Sequence, residues 1–152
     1  MARFVILDAT PLGLACRRPG IPVVDRCLAW IGVLEATGVS IFISEVADYE
    51  VRRELLRLGQ TPGLRRLDLL TSRLQYAEIT TTVMRKAAEF WADVRQRGLP
   101  TASDLALDAD AILAAQTALI GGPGDTVTVA TGNVAHLARF PGIDARNWET
   151  IT

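Results

Sequence analysis

The most constraining feature of this chain is its opening. Phe4-Val5-Ile6-Leu7 is a continuous apolar run that leads directly into Asp8. A strand with one face in water alternates apolar and polar side chains, whereas a strand buried on both faces reads as an unbroken apolar run. The run therefore predicts an inner strand of a parallel sheet, with a carboxylate at its carboxyl end. Thr10-Pro11 turns the chain. Residues 12–21, with three Gly or Pro and the pair Arg17-Arg18, are expected to form a loop.

Strands and helices then alternate. Residues 22–36 place Val24, Leu28, Ile31 and Leu34 at helical spacing, with Pro22 suited to a first turn and Gly38 to a stop. Residues 39–43 read as a second, β-branched strand. Ser44 is expected to cap a helix running to Leu58, with Ala47, Val51, Leu55 and Leu58 as its apolar stripe. A helix over 62–74 capped by Thr61, a third strand over 76–80 and a helix from Thr81 or Thr82 to about Arg97 follow. An alanine-rich helix over 109–120 takes Asp108 as its cap. Beyond the tight loop Gly121-Gly122-Pro123-Gly124 come a fourth strand over 126–130, a short helix over 133–139 and a fifth strand over 143–148. This order implies parallel βαβ units in one α/β domain spanning 1–152, with helices on each side of a parallel sheet of roughly five strands.

Composition bounds the class. A chain of 152 residues, 49% hydrophobic and 22% charged, can bury a real core and is not a disordered sequence. There is no secretory signal and no apolar run of membrane-spanning length, so the expectation is a cytoplasmic protein with no membrane attachment. Cys16 and Cys27 lack metal-site spacing and read as buried thiols. Sixteen basic against 17 acidic residues, a formal charge of −1, argues against a binder that relies on bulk charge. Yet all the basic residues but Lys86 are arginine, whose planar fork suits phosphate; genomic base composition explains the same bias. Charge is also segregated: residues 52–73 hold six Arg against two acids, and residues 98–138 hold four Asp and no Lys or Arg.

Sites in parallel sheets form at the carboxyl ends of strands. Four polar residues fall there: Asp8 after strand one, Glu50 on the helix after strand two, Asp110 at the start of the alanine-rich helix and Asn133 after strand four. Each has a local alternative, namely a turn cap for Asp8, a surface ion pair for Glu50, a helix-dipole contact for Asp110 and an N-cap for Asn133. Together, three carboxylates and an amide make an all-oxygen set suited to Mg²⁺ or Mn²⁺. With one histidine in the chain, a histidine-based metal site is excluded.

These residues resemble a known family. Leu7-Asp8-Ala9-Thr10-Pro11 looks like the opening of PIN-domain nucleases. Ile43-Ser44-Glu45-Val46-Ala47-Asp48-Tyr49-Glu50 looks like that family's second block, and Asp110-Ala111-Ile112-Leu113-Ala114-Ala115-Gln116 its third. Val129-Ala130-Thr131-Gly132-Asn133, followed by His136-Leu137-Ala138-Arg139-Phe140, looks like the fourth. The four blocks are ordered and spaced over nearly the whole chain, and they are closest to VapC-like bacterial members. The resemblance implies a three-layer α/β/α fold and metal-dependent hydrolysis of RNA by Asp8, Glu50 and Asp110, with Asn133 at the fourth position. Many relatives carry an aspartate there or two residues on, where this chain has Ala135. Thr10 and Thr131 would orient the ligands; Glu45, Asp104 and Asp108 rank below the main acids. Arg52, Arg53 and Arg57 are candidate RNA contacts, each equally readable as part of a solvated helix face. A protein antitoxin and a symmetric homodimer are the implied partners.

Two other readings stand beside this one. A PIN-like module that binds RNA or a protein without cutting is kept open by Asn133. An unrelated α/β phosphatase is disfavoured, because strand one is followed by neither a Gly-rich phosphate loop nor an Asp-x-Asp pair.

Overall fold

β1 (Arg3–Leu7) is the inner strand that the opening run predicts, with Val5, Ile6 and Leu7 almost wholly buried. The computed structural model describes residues 1–98 and 103–152, apart from the side chain of Asp104. Five strands, β1, β2 (Ser40–Ser44), β3 (Gln75–Ala77), β4 (Thr126–Thr131) and β5 (Asp144–Asn147), form one sheet in the order β3-β2-β1-β4-β5, all parallel. The chain first builds outward on one side of β1 and then returns to build on the other. β1 and β4 therefore meet at the reversal of strand order, the place where open parallel sheets form a crevice at the carboxyl ends of their strands.

Alternation along each strand divides the core. Val5, Leu7, Ile41, Ile43 and Ala130 pack with α1 (Ala9–Ala15), α2 (Pro22–Ala36), α3 (Glu45–Arg57) and α4 (Thr61–Arg73). Ile6 and Val129 pack with α5 (Thr81–Gln96), α6 (Asp104–Leu119) and α7 (Val134–Ala138). The result is the expected three-layer α/β/α arrangement. Among the described residues, no helix is long and apolar enough to cross a membrane.

Of the boundaries that differ from the sequence reading, four have a clear local cause. The segment expected to turn and then loop begins with α1, because Asp8 caps it and Pro11 sits in the first turn, where no backbone donor is needed. α6 starts at Asp104 and is capped by Ser103, whose hydroxyl accepts from the Ala106 amide, so Asp108 is not the cap. β3 stops at Ala77, because Glu45 takes the Ile79 amide and Thr80 caps α5. α4 starts at Thr61 itself, preceded by Gln60 with no side-chain cap. Cys16 and Cys27 are buried free thiols, and burial pushes their pKa values up to about 12 and about 11. Trp148 is buried against Trp30, ring centres 5.5 Å apart, while Trp91 is exposed.

Candidate active site

Asp8 is the first residue past β1. Its amide donates to the Ala130 carbonyl (3.0 Å), which ties it to β4. One carboxylate oxygen accepts from the Ala9 amide (2.7 Å) and so caps α1. The other accepts from the Thr131 hydroxyl (2.7 Å) at the end of β4. That hydroxyl is buried and also accepts from the Asn133 amide (2.9 Å), so its one proton is committed to Asp8. Asp8 thus caps α1 with one oxygen and is held to the end of β4 by the other. Gly132 lets the two loops close: a Cβ there would lie 2.9 Å from Thr10 Oγ1 and Cγ2. Thr10 is a packing neighbour of that loop.

Glu50 lies in the second turn of α3, half-buried in the wall of a shallow cavity of about 380 Å³ shared with Ala9, Gly13 and Arg53. Burial raises its pKa, Asp8 and Asp110 raise it further, and Arg53 opposes them. Asp110 is the seventh residue of α6, well inside the helix, so the expected helix-dipole contact is corrected. Its carboxylate accepts from Arg139 (3.1 Å) and stands 3.7 Å from His136 Nδ1. Burial and Asp8 raise its pKa, against Arg139 and His136. Asp8 therefore acts on both other acids, and like charge gathers in the crevice with incomplete compensation.

Asn133 precedes α7 without capping it through its side chain; its amide nitrogen stands 2.8 Å from His136 Nδ1. The roles of His136 and Arg139 were missed by sequence reasoning. The available signal was their place three and six residues beyond Asn133, on or just past a short helix that starts at the crevice. Also missed was a buried polar link. Ser44 donates to Gln116 (2.5 Å), which donates to the Ala77 carbonyl (2.6 Å), pinning α6 to the carboxyl ends of β2 and β3.

The remaining candidates are dispersed. Glu45 accepts from the Ile79 amide (2.7 Å), and Asp108 lines a separate groove with Met84, Trp91 and Ile112. The side chain of Asp104 is outside the described residues. Arg52 bridges Asp48 (3.1 Å) and Asp68 (2.8 Å), and Arg57 pairs with Glu54 (2.7 Å). Arg53 stacks over Tyr49 and faces Glu50 electrostatically.

A hard divalent cation matches the chemistry of this donor set: Asp8, Glu50 and Asp110 offer only oxygen, and Arg53, Arg139 and His136 offset their charge only in part. Their placement does not amount to a closed cage. Among the described residues, no three His, Cys, Asp or Glu side chains gather closely enough to hold a metal ion.

No protein-family model and no curated protein sequence matches the chain. Solved structures do. A chain of VapBC2 from Rickettsia felis, bound to a DNA fragment from their promoter, superposes with a TM-score of 0.71 at 18% identity, over 95% of this chain and 98% of that one. A chain of VapBC-1 from nontypeable Haemophilus influenzae gives 0.65 at 13%, over 97% and 99%. A chain of DNA-bound VapBC from Salmonella typhimurium gives 0.63 at 19%, also over 97% and 99%. At these identities the likeness is one of fold, and it extends over nearly the full length of each chain.

Proposed function

We propose that this protein is a metal-dependent endoribonuclease of VapC-like type, the toxin partner of a protein antitoxin. The observation that carries the reading is the coupling of Asp8, Glu50 and Asp110 at the reversal of strand order. Burial and then Asp8 raise the pKa of both other acids, in a fold shared with VapBC chains. Such a cluster is costly to keep ionised unless a cation joins it. Asp8, Glu50 and Asp110 would hold Mg²⁺ or Mn²⁺, with Asn133 at the margin. The bound metal would acidify a water and stabilise charge on the phosphate. Thr131 donates to the Asp8 carboxylate and holds it in one orientation, and Arg139 donates to Asp110 and opposes the rise in its pKa. A VapB-like antitoxin and a second copy of this chain are the proposed protein partners, and the cytoplasm the proposed location.

The test is cleavage of labelled RNA with Mg²⁺ or Mn²⁺, with chelator, and by Asp8→Asn. Cleavage by wild type that chelator and the variant both abolish is the expected result. Equal cleavage by the variant, or cleavage persisting in chelator, overturns the assignment. The second reading, an RNA- or protein-binding module that does not cut, is favoured by the side-chain amide of Asn133 at the fourth position and by the lack, among the described residues, of a closed metal cage. It predicts RNA retention without cleavage.

A further inference from the structure

The structure sorts the arginines that the sequence left undivided. Of the six in residues 52–73, Arg52, Arg57 and Arg73 are committed to carboxylates: Asp48 and Asp68, Glu54, and Glu35. Arg66 is not. It donates to the Cys16 carbonyl (3.2 Å) at the end of α1 and, with Arg17 and Arg18 just beyond, surrounds a cavity of about 360 Å³ floored by Leu55, Gln60 and Gly63. None of these three arginines is in an ion pair among the described residues. The nearby carboxylates are engaged elsewhere: Asp48 with Arg52 and Tyr76, Glu54 with Arg57, and Asp25 with the Gly20 amide. Three cations around one concavity repel each other unless an anion enters.

The cavity has fixed walls. A Cβ on Gly63 would lie 2.7 Å from Leu55 Cδ2 and 3.4 Å from the Cys16 carbonyl, so the start of α4 packs directly onto α3 and the end of α1. It also adjoins the candidate site. Leu55 lines both this cavity and the one holding Glu50, and α1 runs between them from Ala9, beside Asp8, to Ala15. Seven helical residues span about 10 Å, or about three nucleotides at the roughly 3.4 Å spacing of a stacked strand.

We propose that Arg17, Arg18 and Arg66 form a phosphate-binding subsite for the backbone of single-stranded RNA, about three nucleotides from the acidic crevice. The subsite rests on the ribonuclease reading and adds to it how an acidic centre retains a polyanion. Arginine forks bind phosphate oxygens through paired N–H groups and carry no base specificity, so the subsite sets position and not sequence.

The test measures binding of a fluorescently labelled single-stranded RNA in chelator, where metal-dependent cutting is suppressed, by anisotropy across a salt series. The variant Arg17→Gln/Arg18→Gln removes two exposed charges whose side chains make no hydrogen bond or ion pair among the described residues. The control Arg73→Gln/Arg146→Gln removes two charges already held by carboxylates, Glu35 and Asp144. The first pair is expected to weaken binding about tenfold and to flatten the salt slope by about 1.4, at roughly 0.7 per phosphate contact on a single strand. The control is expected to change affinity less than twofold. Equal losses in the two pairs would mean a general field effect and overturn the subsite. So would poly-glutamate displacing RNA from wild type at equal charge concentration, which would point to an acidic peptide. If wild type cuts RNA with metal and the first pair binds as wild type does, the subsite fails and the ribonuclease reading stands. If wild type neither binds nor cuts RNA, both fail.

Discussion

Two acids on α3, two residues apart, have opposite surroundings. Asp48 is buried and fully matched: Arg52 donates to one oxygen and the Tyr76 hydroxyl to the other (2.5 Å), while Arg52 also reaches Asp68. Glu50 is half-buried at the crevice; burial first, then Asp8 and Asp110, raise its pKa, and only Arg53 opposes. One helix thus carries a carboxylate built into the fold and a carboxylate left short of counter-charge. Consecutive helical residues turn by about 100°, so a separation of two places them on nearly opposite sides. The contrast teaches that burial alone does not set the state of a carboxylate; the balance of charge and donors around it decides whether burial is offset.

The sharpest way to break this contrast is to remove one acid of each kind. Asp110→Asn is expected to reduce Mg²⁺- or Mn²⁺-dependent RNA cleavage by more than about 100-fold, since losing even the hydrogen-bonded partner of a metal ligand costs roughly 10–100-fold. Asp48→Ala is expected to leave cleavage per folded molecule near wild type. It should instead lower stability by about 2–4 kcal/mol, because it strands the Tyr76 hydroxyl and one side of Arg52. At roughly 2–4 °C per kcal/mol for this chain length, Tm falls clearly. Cleavage kinetics and thermal melts on both variants decide it; an Asp48→Ala protein that melts normally but does not cut would reverse the assignment of the two acids.

The same division explains what could be read from sequence. Strand ends and helix faces follow from local apolar periodicity, so the sheet, its parallel order and the acids at its carboxyl edge were legible. α1 was not, because Pro11 and Gly13 read as breakers. Pro11 sits in the first turn, and Gly13 lies where α1 passes Val51, with 3.8 Å from its Cβ position to that side chain. The start of α6 was misread because Asp108 imitates a cap that Ser103 supplies. The carboxylates were visible as residue types, but their partners were not. Asp110 pairs with Arg139, 29 residues away, and Asp8 with Thr131, 123 residues away. Spacing cannot encode contacts made by the fold. It likewise could not tell Arg52, bound to two acids, from Arg66, bound to none.

Thr131→Val sharpens the comparison at intermediate size, because it changes the support of an acid and not the acid. The side chains are similar in shape, but the hydroxyl that donates to Asp8 and accepts from Asn133 is lost. Cleavage should fall by about 10–100-fold, and stability by about 1–3 kcal/mol for the unmet buried groups. A metal titration followed by cleavage should show weaker metal dependence as well as a lower plateau. An unchanged metal response with only a lower Tm would make Thr131 a purely structural residue.

The smallest effect tests the uncompensated charge itself. Because burial and Asp8 hold the Glu50 pKa above its ordinary 4.5, the folded metal-free protein binds a proton there that the unfolded chain has released. Across that window stability falls as pH rises, and above the raised pKa the ionised Glu50 opposes folding. Glu50→Gln removes the penalty. In chelator its Tm should match wild type below pH 4.5, where Glu50 is protonated in both states, and exceed it by roughly 1–3 °C at neutral pH. Saturating Mg²⁺ or Mn²⁺ should reverse the order, since only wild type then gains from the bound cation. Melting curves for both proteins, with chelator and with metal at each pH, measure this directly. A Glu50→Gln protein less stable than wild type in chelator at neutral pH would place Glu50 with Asp48, among the acids the fold uses for itself.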